Sequence, residues 1–495
     1  MVNSLYTGSD AGPPGSPQAR PHRLRLLLPL FLTVVALLGG TAQVSLAGAG
    51  SRPNIILVVA DTLRADHLGT YGYFRPTTPH LDHLATESVL FENAFTVMPH
   101  TLPAHLALFT SRYPREMGVL MNGQTYAGQF PTLAQHLQEA GYNTAAFVSS
   151  LAVKGKFGLD RGFDIYVDST HHKPPGTVAL TSFRDWLGSR QEQPFFAWIH
   201  LMEPHVPYAP PRDLANRFRS DAGLRAWVQR KGIAPAPTWG ATIDKIVVTQ
   251  RKTPARSTPF LNNLNLYDAE TLSVDQVIGE LMAALKARDL DQDSLIMILS
   301  DHGEGLGQHG YYFHGLYLYE EQLQIPLLIR LPGGRHAGRR IAEPVSLLDI
   351  LPTVSSLLDL KPGDGLRGRN LLPLMAGKQA GEFNRRPLFA ESREYPPRRA
   401  LSPEHWTSVR RFSVRDGSWK LIRATSGEAE LYDLAADQNE LADLHEENPA
   451  VARRLGRVLD KWLAKIPKGE AAGTDNLTDE DRRRLKSLGY VGGQP

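Results

Sequence analysis

Four short apolar runs recur along this chain, and three of them end in a charged or imidazole side chain. "NIILVVAD" covers 54–61 and closes on Asp61. "SLIMILSDHG" (294–303) repeats the design and closes on Asp301 and His302. "PFFAWIHLMEPHVPY" (194–208) runs on to Glu203 and His205, and "NTAAFVSS" (143–150) is the fourth. An apolar run without alternation fits a strand buried on both faces, which is the habit of parallel sheets. Helical periodicity fills the intervals. "FPTLAQHLQEAGY" stops at Gly141, which suits a left-handed C-cap. "YDAETLSVDQVIGELMAALKARDL" (267–290) is the longest amphipathic stretch, and "SLLDILPTVSSLLDL" (346–360) is another, kinked or started at Pro352. The alternation predicts an α/β fold: a doubly wound, mostly parallel sheet flanked by helices. Ligands of such sheets bind beyond the carboxyl ends of the strands, where Asp61, His205, Asp301 and His302 all fall.

After about residue 385 the pattern changes. "RRFSVRDGSWKLIRA" reads as two strands turning at Asp416–Gly417, followed by a helix from about 448 to 465. We therefore expect a catalytic domain over 52–385, a small C-terminal α+β subdomain over 386–470, and a tail over 471–495. The tail carries a short helix capped by Thr478 and stopped by Gly489. Residues 209–266 fit no strand–helix alternation and read as an insertion at the mouth of the site, a lid in form.

The N-terminus has its own character. Residues 1–25 are rich in Gly, Pro and Ser, with Arg20, Arg23 and Arg25 at their end, and read as a disordered, basic segment on the cytoplasmic side. Residues 26–50 carry no charge and form either a cleaved signal peptide or an uncut membrane anchor. Both readings export the rest of the chain. A formal net charge of only +3, with no basic stripe, argues against nucleic acid as a partner. With no cysteine, neither a disulfide framework nor a thiolate metal site is available.

Two acids and a histidine at the ends of separate strands suit one divalent cation: zinc, manganese, magnesium or calcium. "PHTLPAHLALFTSRYP" (99–114) begins a helix near Thr101. There the free N–H groups and the dipole favour an anion, and a hydroxyl bound to a dication loses its proton readily. Thr101 is therefore either a helix cap or an oxygen nucleophile. Arg112 could bind an anionic substrate, and His309 and His314 follow the Gly-rich loop after His302.

These blocks taken together resemble the sulfatase family of the alkaline phosphatase superfamily. The similarity rests on "RPNIILVVADTLRADHLGTYGY", "TLPAHLALFTSRYP", "MEPHVPY", "LYDAETLSVDQVIGEL" and "ILSDHGEGLGQHG", with "DGLRGRNLLPLM", "VRDGSWKLI" and "ELYDL" after them. It implies that Asp61, Asp301 and His302 hold the metal together with Thr101. Thr101 would be the nucleophile, and His205 and His314 would act on the substrate and its leaving group. The departures define a branch. Threonine replaces the cysteine or serine that sulfatases oxidise to formylglycine, so no formylglycine is expected. His105 replaces the signature arginine and lies one helical turn beyond Thr101, which makes it a substrate-binding candidate with Arg112 and His309. Thr62 replaces a second aspartate, and "FVSS" stands where a lysine–histidine block is usual.

The implied function is metal-dependent ester hydrolysis or transfer outside the cytoplasm, through a covalent Thr101 intermediate. Its substrate would be a small-molecule, glycan or lipid ester. Phosphate is favoured over sulfate, because a threonine sulfate lacks the aldehyde-forming exit that formylglycine provides. The competing reading is a non-catalytic anion- or glycan-binding protein on the same fold.

Overall fold

The computed structural model describes residues 52–168, 173–189, 194–233, 260–310, 312–393 and 409–487. The signal or anchor segment, the basic residues before it and Gly489 lie outside the described residues. Among the described residues no helix is long and apolar enough to cross a membrane.

Strand β1 (Asn54–Ala60) lies inside a nine-stranded sheet, between β5 (Phe195–Leu201) and β6 (Ser294–Ser300), and is parallel to both. Beyond β5 the parallel order continues through β3 (Asn143–Val148) and β4 (Ile165–Asp168). Beyond β6, β7 (Gln324–Arg330) runs antiparallel to both β6 and β2 (Val89–Phe95). Two short strands, β8 (Arg340–Ile341) and β9 (Val345–Ser346), pair parallel with β2. The sheet is thus mostly parallel, with β7 reversed.

Both faces are covered, which is why the strands read as unbroken apolar runs. Ile55, Leu57 and Val59 of β1 pack with α1 (Thr101–Thr110), α2 (Leu133–Glu139) and α6 (Ile350–Leu357). Ile56, Val58 and Ala60 pack on the other face with α3 (Gly176–Ser189) and α5 (Phe260–Lys286).

Gly141 adopts the left-handed backbone expected after α2, at φ +84°. Pro352 does not start α6. It is the third residue, in the first turn, where its missing N–H has no intrahelical partner to lose. The stretch 209–266 departs further from expectation. Its last residues, from Phe260, belong to α5, and Ala222–Arg230 forms α4, capped by the Asp221 carboxylate accepting from Leu224 N–H at 2.8 Å. Leu224, Trp227 and Val228 give α4 its buried stripe, but nine residues are too few for periodicity to stand out. Residues 234–259 of that stretch lie outside the described residues.

The C-terminal part is an antiparallel sheet of β10 (Leu388–Glu391), β11 (Arg411–Asp416), β12 (Trp419–Ala424) and β13 (Ala429–Asp433), with α7 (Pro449–Lys465) against it. The β11–β12 hairpin turns at Gly417, φ +67°, as the sequence predicts. Trp462 of α7 stacks on Phe389 at 4.9 Å and meets Tyr113 edge-on at 5.0 Å, joining this layer to the core under α1. Thr478 caps α8 (Asp479–Ser487): its Oγ1 accepts from Asp481 N–H at 3.1 Å and its N–H returns to the Asp481 carboxylate.

A buried ion cluster also joins the two sheets. Lys420 Nζ on β12 lies 2.8 Å from Glu320 Oε1 and 2.8 Å from Glu440 Oε1, and Arg415 reaches Glu320 at 2.8 Å. Removing the cation leaves the buried Glu440 carboxylate without its ion-pair partner, while Glu320 keeps only Arg415. Lys420→Ala should therefore cost about 3–5 kcal/mol in urea denaturation. A surface change such as Lys461→Ala should cost under about 0.5 kcal/mol.

Candidate active site

The site begins with a register. Ala60 of β1 pairs with Ser300 of β6, so the residues that follow, Asp61 and Asp301, leave the sheet side by side. Ser300 Oγ donates to Ala60 O at 2.8 Å, and Asp61 N–H donates to Leu201 O at 2.9 Å, which ties three strand ends together. Thr62 turns the chain at φ +60° and donates its N–H to Asp301 Oδ1 at 3.2 Å. His302 N–H donates to the same oxygen at 2.9 Å. One Asp301 oxygen is thus held by the backbone while Oδ2 stays available.

His302 Nδ1 pairs with Gly303 O at 2.9 Å, and a carbonyl can only accept, so Nδ1 carries the proton. Its Nε2 is left as an acceptor, 3.4 Å from Asp301 Oδ2, 3.8 Å from Asp61 Oδ1 and 3.5 Å from Thr101 Oγ1. Thr101 is the first residue of α1, and His100, with extended backbone, occupies the cap position. The hydroxyl is therefore not the cap. Asn122 helps satisfy the helix end instead, its Oδ1 accepting from Leu102 N–H at 2.8 Å.

Asp61, Thr101 and His302 are fully buried and Asp301 is 1% exposed. Neither oxygen of Asp61 has a hydrogen-bond partner, nor does Asp301 Oδ2. Burial pushes the Asp61 carboxyl well up, with the charges of Asp301 and Glu304 adding to it. Burial also raises Asp301 to about 6 and lowers His302 to about 4. Such a cluster lacks positive charge. One ligand atom from each of Asp61, Asp301 and His302 lies within 4.8 Å of the others, a spacing one divalent cation can gather. The residues present fit such an ion.

Other expected residues surround this cluster unequally. The His314 ring lies 4.5 Å from that of His302 and 5.1 Å from that of His205. His314 Nδ1 is 3.1 Å from Glu304 Oε1, and burial raises Glu304 to about 8. His205 is held through its loop. Lys173 Nζ donates to His205 O and, at 2.9 Å, to Pro207 O, while pairing with Glu270 of α5 at 2.7 Å. His105 lies 3.6 Å from Asp301 Oδ2 and donates Nδ1–H to Thr101 O at 2.8 Å.

Two expected residues are not brought into this group. Arg112 follows the far end of α1, about 15 Å from Thr101 for a ten-residue helix. Its guanidinium donates to Asp364 O at 2.7 Å and lies over Phe130. His309 commits both ring nitrogens, to Glu321 Oε1 at 2.9 Å and to Glu440 O at 3.0 Å, and stacks on Tyr319. Sequence reasoning also passed over His200, whose Nε2 lies 3.7 Å from Asp61 Oδ2. Its signal was a lone histidine inside the apolar run "FFAWIHL".

The sulfatase family profile matches residues 53–360. The profile of the C-terminal part of N-sulphoglucosamine sulphohydrolase matches 307–466. The ulvan-active sulfatase of Formosa agariphila is 25% identical over 90% of this chain and 86% of its own. The phosphonate monoester hydrolase of Agrobacterium radiobacter shares the fold at a TM-score of 0.67 and 22% identity, covering 84% of this chain and 96% of that one. A structure solved in complex with its substrate D-glucosamine-2-N,6-O-disulfate does so at 0.68 and 22%, covering 84% and 98%.

The structural role of His309 can be tested by pH. Against the burial that lowers it, Glu321 raises the His309 imidazole from 6.5 to about 9. The charge then stabilises the fold fully below pH 6.5, and this contribution fades as pH rises to about 9. His309→Gln should be most destabilising below pH 6.5, and the deficit in unfolding free energy should shrink toward pH 9.

Proposed function

Because the chain belongs to the sulfatase family of hydrolases, we propose that it cleaves phosphate or phosphonate esters with Thr101 as nucleophile. The observation that carries this reading is the Thr101 hydroxyl at a helix N-terminus, 3.5 Å from His302 Nε2 and beside carboxylates with orphaned oxygens. Asp61, Asp301, His302 and Thr101 would hold one divalent cation, which when bound eases loss of the hydroxyl proton and offsets charge on the substrate oxygens.

The chain's own groups divide the remaining work. Thr101 Oγ attacks phosphorus in line, forming the Oγ–P bond as the ester P–O bond breaks. The dipole of α1, whose N-terminus lies at Thr101, would favour the oxygens on which negative charge accumulates. His314 or His205 would protonate the leaving oxygen, a step favoured at acid pH because burial holds both rings well below the ordinary imidazole value. Water, or an acceptor hydroxyl, then attacks phosphorus and frees Thr101. His105 would orient substrate from beneath. The same steps at sulfur describe a sulfate ester. Phosphorus is favoured because a threonine phosphate opens by simple attack at phosphorus, whereas threonine cannot form the aldehyde through which formylglycine expels sulfate. The uncharged stretch at 26–50 supports export, with glycan or lipid esters as accessible substrates.

A panel of aryl sulfate, phosphate mono- and diesters and phosphonate, each with zinc, manganese, magnesium or calcium, tests the proposal. Phosphate or phosphonate turnover should exceed sulfate turnover. Thr101→Ala should lower turnover at least about 10³-fold with unchanged thermal stability. Chelation should abolish activity and one added cation should restore it. Full activity in Thr101→Ala would refute the nucleophile. Absence of both turnover and a tightly held ion would favour the anion-binding reading.

A further inference from the structure

The catalytic reading leaves open what meets the charge of the substrate. Asp61 and Asp301 together balance one divalent cation and leave no positive surplus. A phosphate monoester brings close to two further negative charges at neutral pH. The arginine of the sulfatase signature is replaced here by His105, and an imidazole has no fixed charge.

The C-terminal sheet brings a guanidinium from another direction. The chain leaving β10 is fastened to the catalytic domain by its backbone: Glu391 N–H donates to Val97 O at 2.9 Å, and Arg393 N–H to Gly315 O at 3.2 Å. Between them Ser392 N–H donates back to Arg411 O of β11 at 2.9 Å. Arg393 is 1% exposed. Its guanidinium donates to His100 Nε2 at 2.7 Å. An arginine can only donate, so that nitrogen offers its lone pair and the His100 ring is neutral. His100 caps the helix that begins at Thr101, and its ring lies 6.3 Å from that of His314, edge to face.

Arg393 is therefore clamped between the two segments that carry Thr101 and His314. A neutral imidazole does not cancel the charge of a buried guanidinium. A tetrahedral oxyanion does, and the planar fork of arginine matches two of its oxygens at once. We propose that Arg393 binds the phosphate or phosphonate group of the substrate beside Thr101, supplying from the C-terminal sheet the fixed positive charge that the exchange to His105 removes from α1. The inference rests on the reading that Thr101 and the Asp61, Asp301 and His302 cluster form the active site.

The test reads anion binding as well as turnover. The cation-loaded full chain is titrated calorimetrically with inorganic phosphate, beside Arg393→Gln and Arg393→Lys at equal metal content. Arg393→Gln should weaken phosphate binding about 10- to 100-fold. Arg393→Lys, which keeps the charge and loses the fork, should fall between it and wild type. In Arg393→Gln, kcat/KM should drop further for a phosphate monoester than for a diester, which carries less charge. Equal losses on the two esters would assign Arg393 to holding His100 and overturn the proposal. Unchanged phosphate affinity in Arg393→Gln also overturns it, while Thr101→Ala decides the nucleophile separately. Weakened phosphate binding with no turnover of any ester supports the contact and overturns the catalytic reading. Should Arg393→Gln fail to fold, Arg393→Lys decides, and wild-type phosphate affinity in that variant overturns the contact.

Discussion

The parallel pairing of β1 with β6 is the constraint on which the rest of the site depends. The ladder sets Ala60 against Ser300, and the next residue on each strand is an aspartate. Two carboxylates are thereby delivered to one point by backbone hydrogen bonds formed for reasons of sheet stability. A slip of one residue would carry one acid to the opposite face. The apolar runs on both strands oppose any slip, because helices cover both sides of the sheet. The core thus pays for the burial of two like charges, and their mutual discomfort is what makes the point receptive to a cation.

Helix α1 supplies the complementary part. All ten of its residues are buried, so it is held by packing around its whole circumference rather than by one stripe. That rigidity would suit the proposed role of Thr101, because a nucleophile must be held closely relative to its substrate. The same helix carries His105 one turn along, so one element fixes the hydroxyl and the imidazole behind it. The C-terminal part contributes support through Trp462 of α7, which packs against Tyr113 just beyond the far end of α1.

Much of this was legible in the chain because strand ends leave a local signature: an apolar run, then a polar side chain. Asp61, Asp301 and His302 were found that way, and so was the hairpin at Gly417. What escaped depended on long-range partners. Glu440, which holds His309 in place, is 131 residues from it, and no local pattern links them. Arg112 looked close to Thr101 in sequence, but a ten-residue helix separates their ends. His200 was hidden because a single histidine in a buried strand reads as core. Only the register of β5 against β1 places it next to the Asp61 side chain.

The anchor made by Lys173 has a mechanical consequence. One ammonium grips the backbone on both sides of Val206, and its counter-charge sits on the longest described helix, α5. The His205 loop cannot drift without stretching a charged tether, so any displacement of α5 is felt as rotation or translation of the loop. Lys173 thereby ties α5 to the loop that carries His205, and a substitution that shifts Glu270 has a physical route to that loop.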